Sequence, residues 1–185
     1  LVHYASKAFD IEYNFGFSDS EAGFKELEGI HDRGDWDLSR HQKFSGQKLT
    51  VKDDDNKDYI PHIVETSGGV DRATLAFLID AYDEIEGGRT TTTKSVKDAE
   101  VVLRLDKRLA PIKIAVLPLS KKPDLAVKSN EVYDSLVKNY RIQYDENGSI
   151  GKRYRRQDEI GTPYCVTIDF DTLENNQVTV RDRDT

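Results

Sequence analysis

The chain has 185 residues, of which 37% are hydrophobic, enough to bury a core in one large domain or two small ones. Its 34 acidic residues outnumber 27 Lys and Arg, and the net charge of -7 argues against a protein that coats nucleic acid through bulk positive charge. The single cysteine rules out an intramolecular disulfide and favours a cytoplasmic location. No apolar run approaches the roughly 20 residues of a membrane-spanning helix.

The charge distribution and the turn-forming residues divide the chain into two expected units. Residues 1–110 carry 15 basic and 22 acidic side chains, whereas residues 111–185 carry 12 of each. Gly87, Gly88 and the polar tract RTTTTKS predict a boundary region at about 87–110. The chain begins at Leu1 and contains no methionine, so we expect it to be part of a longer protein.

The first unit is expected to be α+β, with an antiparallel sheet. Alternation in FDIEYNF predicts a half-buried strand, and KELEGIHDR and DYIPHIVE predict further strands. DLSRHQKF predicts a short helix opened by an Asp cap, and LTVKDDDNKDYI predicts a hairpin with a solvated acidic turn rather than a calcium loop. A helix with a buried face is predicted from four residues at helical spacing: Leu75, Leu78, Ile79 and Tyr82.

The second unit alternates strand and helix patterns. The strands are IKIAVLPL, YRIQYD, YCVTIDF and, after a turn, QVTVRDR; the helices are a segment over about 124–139 and SIGKRYRRQDEIG. This order predicts a small α/β domain with a mixed, mostly parallel sheet, which makes the fold class α/β overall. No helix pattern follows the last strand, so we expect the domain to be truncated at its C-terminus.

Two stretches of the first unit hold residues suited to a small charged substrate. In ETSGGVDRATLAFL, the turn 67–69 leaves the backbone open where a helix begins, and Arg72 adds a positive charge that attracts anions. A flexible turn with a surface arginine is the alternative. In ELEGIHDRGDWDLSRH, Glu26 and Glu28 share one face of a regular strand and can hold an ammonium group. Charge pairing on a sheet surface is the alternative there.

The second unit contains a basic segment, GKRYRRQDEIG. Cations around an aromatic ring are suited to RNA contact. The residues concerned are Lys152, Arg153, Tyr154, Arg155 and Arg156. The alternative is a solvated amphipathic helix whose arginines pair with Asp158 and Glu159.

Other common catalytic and metal-binding patterns are missing from the sequence. His31 and His41 lack further ligands at zinc spacing, so no metal site is expected. The chain has no serine-hydrolase elbow and no P-loop. Cys165 lies within an apolar run and is expected in the core.

Four stretches, in order, resemble glycyl-tRNA synthetase of the homodimeric type, a class II aminoacyl-tRNA synthetase. ELEGIHDRGDWDLSRH resembles its glycine-site segment, ETSGGVDRATLAFLIDAY its motif 3, and RLAPIKIAVLPL the entry to its anticodon-binding domain. The most family-specific stretch is GSIGKRYRRQDEIGTPYCVTIDFDTLENNQVTVRDRD. On this resemblance, 1–110 is the C-terminal part of a class II catalytic domain, including motif 3 and a linker, and 111–185 is an anticodon-binding domain.

The resemblance implies ATP-dependent activation of glycine to glycyl-adenylate, followed by transfer to tRNA(Gly). ATP with Mg²⁺ is then a substrate, and the full-length enzyme is a cytoplasmic homodimer. Arg72 is the implied catalytic residue against ATP, Glu26 the ligand of the glycine ammonium, and Ser67 the residue beside the amino-acid pocket. Glu65 is expected to face the same cavity, near glycine and ATP. The basic segment 152–156 is expected near the anticodon stem or loop.

The sequence departs from the family pattern at two positions near the pocket. Thr66 stands where proline is expected, and His31 stands where a small residue is expected. Motifs 1 and 2 are missing, so this chain alone is expected to be inactive. A non-catalytic RNA-binding module and a repurposed synthetase paralogue are the alternatives, but retention of Glu26, Ser67 and Arg72 together favours an enzyme.

Overall fold

A computed structural model describes residues 3–17, 23–87 and 99–185. The chain separates into two compact units, Leu1–Ala76 and Phe77–Thr185. The tract RTTTTKS, at 89–95, lies outside the described residues. The expected division at 110 separates a catalytic from an anticodon-binding domain and concerns function rather than compactness. This division stays a prediction.

The first unit is built on a three-stranded antiparallel sheet in the order β1-β2-β5. The elements in chain order are β1 (Lys7–Asn14), β2 (Phe24–Gly34), α1 (Trp36–Ser45), β3 (Val51–Lys52), β4 (Asp58–Tyr59), β5 (Ile63–Gly68) and α2 (Val70–Ala81), which contains the division point. The three predicted strand regions and the antiparallel pairing are confirmed. Strands β3 and β4 form the predicted hairpin, and its acidic turn is exposed.

Helix α1 begins one residue after Asp35, which is its N-cap residue but makes no side-chain capping bond. The prediction that Asp37 opens the helix was therefore wrong. Asp37 lies inside the first turn, where its carboxylate accepts two hydrogen bonds from Arg33. A carboxylate bound by a guanidinium fork is not available to cap backbone amides. The helix ends at Gly46, whose φ of 70° suits a residue without Cβ.

Helix α2 forms as predicted, but its large apolar face is not buried by the described residues. Leu75 is 39% exposed and Leu78 is 41% exposed, whereas the small residues Ala76 and Ala81 are buried. Tyr82 does not belong to the helix, because it is the first residue of the next strand. The prediction of a buried leucine face was therefore wrong for this chain.

The second unit contains nine elements within the described residues. They are β6 (Tyr82–Ile85), β7 (Glu100–Leu103), β8 (Ile114–Pro118), α3 (Pro123–Leu136), β9 (Ile142–Tyr144), α4 (Ile150–Glu159), β10 (Tyr164–Ile168), α5 (Phe170–Asn175) and β11 (Thr179–Asp182). Strands β6 and β7 form an antiparallel pair that the sequence analysis did not predict. Helix α5 was also missed; it begins with a reciprocal capping box between Asp169 and Thr172.

The main sheet of the second unit has the order β11-β10-β8-β9, with two parallel pairings and one antiparallel pairing. The predicted mixed, mostly parallel sheet is confirmed. Its core lies on both faces, with Val116, Val166 and Leu125 of α3 on one side and Ala115, Leu117 and Cys165 on the other. Ile150 and Tyr154 of α4 pack against the second group, so a helix covers each face.

The helices of the described residues are too short or too polar to cross a membrane. Helix α3, with 14 residues, is the longest of them.

Candidate functional site

An open cleft of about 540 Å³ lies where β5 runs into α2. Its lining includes Glu26 from β2, Ser67 from β5 and Arg72 from α2. Three residues from three different elements, selected from two separate sequence motifs, therefore meet around one space. Gly69 adds to its openness, because a Cβ there would approach only the Cβ of Arg72, at 4.0 Å.

A β-bulge in β2 determines which face Glu26 occupies. Ile11 of β1 pairs with Glu28, but the next residue, Glu12, pairs with Glu26, so Leu27 is an extra residue in β2. The extra residue shifts the alternation and places Glu26 and Glu28 on opposite faces. The expectation that they share one face was wrong, because regular alternation does not hold across a bulge.

The bulge brings Glu26 onto the face that carries Ser67. Ser67 pairs with Gly29 of β2, and Glu28 pairs with Gly68, the next residue along β5. Ser67 and Glu26 then line the cleft together, whereas Glu28 lies beside Gly68 on the other side. Glu12 lies directly opposite Glu26, and facing carboxylates favour a cation between them. The sequence analysis did not select Glu12, because its position opposite Glu26 depends on the register between β1 and β2.

Arg72 is anchored to β2 and forms only a weak, exposed ion pair with Glu26. Its Nη1 donates to the backbone carbonyl of Glu26 at 2.6 Å and lies 3.9 Å from Oε2 of the same residue. Both side chains are 55% exposed, so water screens the ion pair and it contributes little to stability. Among the described residues the hydrogen bond of Arg72 uses Nη1 alone, and the half-exposed guanidinium, which has five N–H donors, lines the cleft.

Glu65 lies on the same face of the sheet, but it does not line this cleft. Its Oε2 accepts a hydrogen bond from Arg33 at 2.6 Å, and the other two recorded bonds of Arg33 go to Asp37, at 2.5 and 2.8 Å. The ring of Tyr4 lies 4.2 Å from the guanidinium. The hydrogen bonds that Arg33 donates to Asp37 and Glu65 raise the pKa of Arg33 and, at Asp37, lower the pKa of the carboxyl. Arg33 therefore balances the charge of Glu65.

The two departures from the family pattern have different surroundings. Thr66 pairs with Ile30 and lies on the face opposite Ser67, so its side chain points away from the cleft. His31 pairs with Glu65, and its Nδ1 is buried without a hydrogen-bond partner among the described residues. A Cβ at Gly29 would lie 3.0 Å from the His31 ring, so the glycine provides the space for this histidine.

The basic segment of α4 is largely committed to bonds within the second unit. Arg153 is only 2% exposed, and its guanidinium donates to the backbone carbonyls of Pro118, Leu119 and Asp145. Burial lowers the pKa of Arg153 from its ordinary value. The expectation that Arg153 contacts RNA needs correction, since its guanidinium joins the ends of β8 and β9 instead.

The neighbouring residues of α4 differ in how far they are engaged. Burial alone would raise the pKa of Asp145, but hydrogen bonds from the Asn147 amide and from Arg156, the latter at 2.5 Å, hold it below its ordinary value. Arg155 pairs with Glu159 at 3.2 Å, as the solvated-helix alternative expected. Lys152 is exposed.

Two further side chains of the proposed RNA-binding segment have fixed positions. The Tyr154 hydroxyl bonds to Thr167, and Arg181 lies 5.0 Å from its ring. Asp158 is buried and accepts two bonds from Arg181, at 2.8 and 2.7 Å. Tyr154 is therefore not an open stacking surface.

Cys165 is buried in the sheet, as expected, and burial raises its pKa to about 12. A thiol in this setting is inert rather than nucleophilic. In the described part of the chain, no group of three or more His, Cys, Asp or Glu side chains is placed to hold a metal ion.

Comparison with known proteins supports the interpretation of both units. A family model described as "Anticodon binding domain" matches residues 113–185. A glycine–tRNA ligase of Thermobifida fusca is 54% identical over all 185 residues, and one of Streptomyces coelicolor is 52% identical over an alignment of 186. The resemblance to glycyl-tRNA synthetase is confirmed. The chain spans 39% of the length of each of these two synthetases.

The fold comparison agrees with the sequence comparison. A solved prolyl-tRNA synthetase of Giardia lamblia, in complex with prolyl-adenylate, matches 98% of this chain with a TM-score of 0.60. The match covers 34% of that chain, and the two sequences are 20% identical. At this identity the likeness shows a shared fold, which is the mixed α/β architecture expected from the synthetase resemblance.

Proposed function

We propose that this chain provides part of the glycine- and ATP-binding site and the anticodon-binding unit of a glycine–tRNA ligase. In the proposed reaction, the glycine carboxylate attacks the α-phosphate of ATP, pyrophosphate leaves, and the glycyl group then passes to the terminal ribose of tRNA(Gly). The observation that carries the proposal is the meeting of Glu26, Ser67 and Arg72 around one cleft. Identity to glycine–tRNA ligases over the whole chain supports it.

Each cleft residue has a proposed role that fits its surroundings. The carboxylate of Glu26 binds the glycine ammonium, because an exposed, bulge-directed acid is well placed for a small cation. Arg72 contacts the triphosphate of ATP, supplied with Mg²⁺ as substrate, through its free guanidinium donors. Ser67 borders the amino-acid pocket, where selectivity for glycine requires the exclusion of larger side chains. Glu65 acts through Arg33 rather than as a direct ligand.

The second unit is proposed to bind the anticodon region of tRNA(Gly). The family match over 113–185 supports this role. On α4, Lys152 and Arg156 are exposed and Arg155 is partly exposed, so these three cations of the predicted basic segment remain near the surface. A homodimeric, cytoplasmic enzyme is part of the same proposal, as the resemblance implies.

The role of Arg72 is tested in an intact ligase that contains this segment. Arg72→Gln is expected to lower the rate of glycine-dependent ATP–pyrophosphate exchange by about 100-fold or more, the usual cost of removing a donor that stabilises developing charge. Arg40→Gln is the matched control, because Arg40 is exposed and stacks on Trp36 of α1. Equal exchange rates for the two variants would contradict the assignment.

We also infer that the 185-residue chain alone does not activate glycine. The family's motifs 1 and 2 do not occur in it. The cleft that it forms is open, and the side chains of Glu26 and Arg72 are half exposed. Purified chain is expected to show no glycine-dependent exchange above background. Clear exchange by this chain would refute the inference.

A further inference from the structure

A second cleft, of about 490 Å³, lies in the second unit where two strands begin and α3 ends. Ile114 and Tyr164 are the first residues of the parallel strands β8 and β10, and Leu136 is the last residue of α3. All three line the cleft, together with the ring of Tyr140, which is 51% exposed. Lys107 lies 4.7 Å above the Tyr164 ring. The cleft therefore combines an apolar floor with two tyrosine rings.

The same cleft carries positive charge at its rim. Lys107, Arg108 and Lys113 line it, and none of the acidic residues that the structure describes does. Asp182 binds Lys107 at 2.5 Å, and Asp106 binds Arg108 at 3.0 Å, so two of the three charges have carboxylate partners. Lys113 donates to two backbone carbonyls, at 2.9 and 2.7 Å, and its charge contributes to the lowered pKa of Asp106. Arg108 is 90% exposed and retains donors that face solvent.

We propose that this cleft holds one unpaired base of an RNA, with the attached phosphate facing the cations. The base would stack on Tyr140, whose side chain is 51% exposed, because aromatic rings accept any base while nearby cations track the backbone. The rim carries three cations against two carboxylate partners, and this net positive charge favours the phosphate backbone of RNA over an apolar polypeptide segment. The inference rests on the proposed anticodon role, and it moves the main stacking contact away from α4, where Tyr154 is already engaged.

The proposal is tested with the whole chain and tRNA(Gly) transcripts that carry 2-aminopurine at single anticodon-loop positions. Stacking in the cleft is expected to quench the fluorescence at one position. Tyr140→Ala should abolish that quenching and weaken binding by about fivefold to 100-fold, the range found when a stacking ring is removed. Tyr140→Phe should restore both. Tyr59→Ala is the matched control, because Tyr59 is 47% exposed and lies in the first unit.

A second measurement tests the phosphate contact. Arg108→Ala is expected to reduce the slope of log affinity against log salt by about one. Lys152→Ala, on α4, serves as the comparison. If Lys152→Ala loses the 2-aminopurine quenching and Tyr140→Ala keeps it, the assignment of the base to this cleft is wrong, and the stacking contact belongs to α4.

The outcomes separate the inference from the function on which it rests. If the unmodified chain does not bind the transcript, the anticodon role fails. If it binds, but Tyr140→Ala leaves affinity and quenching unchanged, the anticodon role stands and the cleft assignment is refuted.

Discussion

Arg183 is expected to be the side chain whose loss most destabilises the second unit. It is 2% exposed, and its guanidinium donates to the carbonyls of Leu103, Gly161 and Leu105 at 3.0, 2.7 and 2.7 Å, and to Asp184. It therefore ties β11 to the segment after β7 and to the turn between α4 and β10.

The magnitude follows from the bonds that Arg183→Met removes. The bonds to Gly161 and Leu105 are buried, and each hydrogen bond to a charged group contributes roughly 1.5–3 kcal/mol. Methionine fills similar volume but satisfies neither carbonyl, so the free energy of unfolding should fall by about 3–5 kcal/mol. Arg183→Lys keeps one charge and should lose less. Arg108→Met is the control, because its side chain is 90% exposed, and it should change stability by less than about 0.5 kcal/mol.

The chain contains one probe in each unit for this assay. Cys165 is the single cysteine and is buried in the second unit, so its labelling by a thiol reagent in urea reports the opening of that unit. Trp36 is the single tryptophan and reports the first unit through its fluorescence. Arg183→Met should shift the cysteine transition. If Arg183→Met and Arg108→Met expose Cys165 at the same urea concentration, the assigned role of Arg183 is wrong.

Three smaller predictions concern single positions. Gly161→Ala should destabilise the second unit by about 1–3 kcal/mol more than Gly148→Ala. Both glycines have a φ near 78°, but only a Cβ at 161 would lie 2.9 Å from a carbonyl oxygen. Urea titration of Cys165 labelling measures the difference. Since burial raises the pKa of Cys165 to about 12, the unfolded chain loses its thiol proton at lower pH, and stability should fall as pH rises from about 9 towards 12; denaturation at stepped pH, compared with Cys165→Ala, measures it. Arg33→Met should return the lowered pKa of Asp37 towards its ordinary value, which NMR titration detects, and an unchanged titration would show that Arg33 is not the cause.

The longer elements of both units could be predicted because their signals are local. Alternation in β1 and the apolar run around β8 appear directly in the sequence, and the order of strand and helix patterns predicted the mixed sheet. Helix α5, with only six residues, is too short to give a periodic pattern. The pair β6 and β7 was missed because the partners are separated by a polar segment and β7 fell within the expected boundary region.

The cleft residues could be selected by resemblance, but their geometry could not. Nothing in the residue types around Leu27 shows that β2 contains a bulge, and yet the bulge decides that Glu26 rather than Glu28 faces Ser67. Arg153 shows the same limit. A basic residue in an amphipathic helix is typical of a surface, whereas here strand ends supply three carbonyl partners for a buried guanidinium.

The opposite placement of Glu26 and Glu28 provides the most direct test of the proposed glycine site. In an intact ligase that contains this segment, Glu26→Gln removes the charge that binds the glycine ammonium, and KM for glycine in ATP–pyrophosphate exchange should rise about 10-fold to 100-fold. Glu28→Gln makes the same chemical change two residues away, on the other face of β2, and should leave KM within about twofold. Equal effects of the two substitutions, or an effect confined to Glu28→Gln, would contradict the assignment of this cleft to glycine.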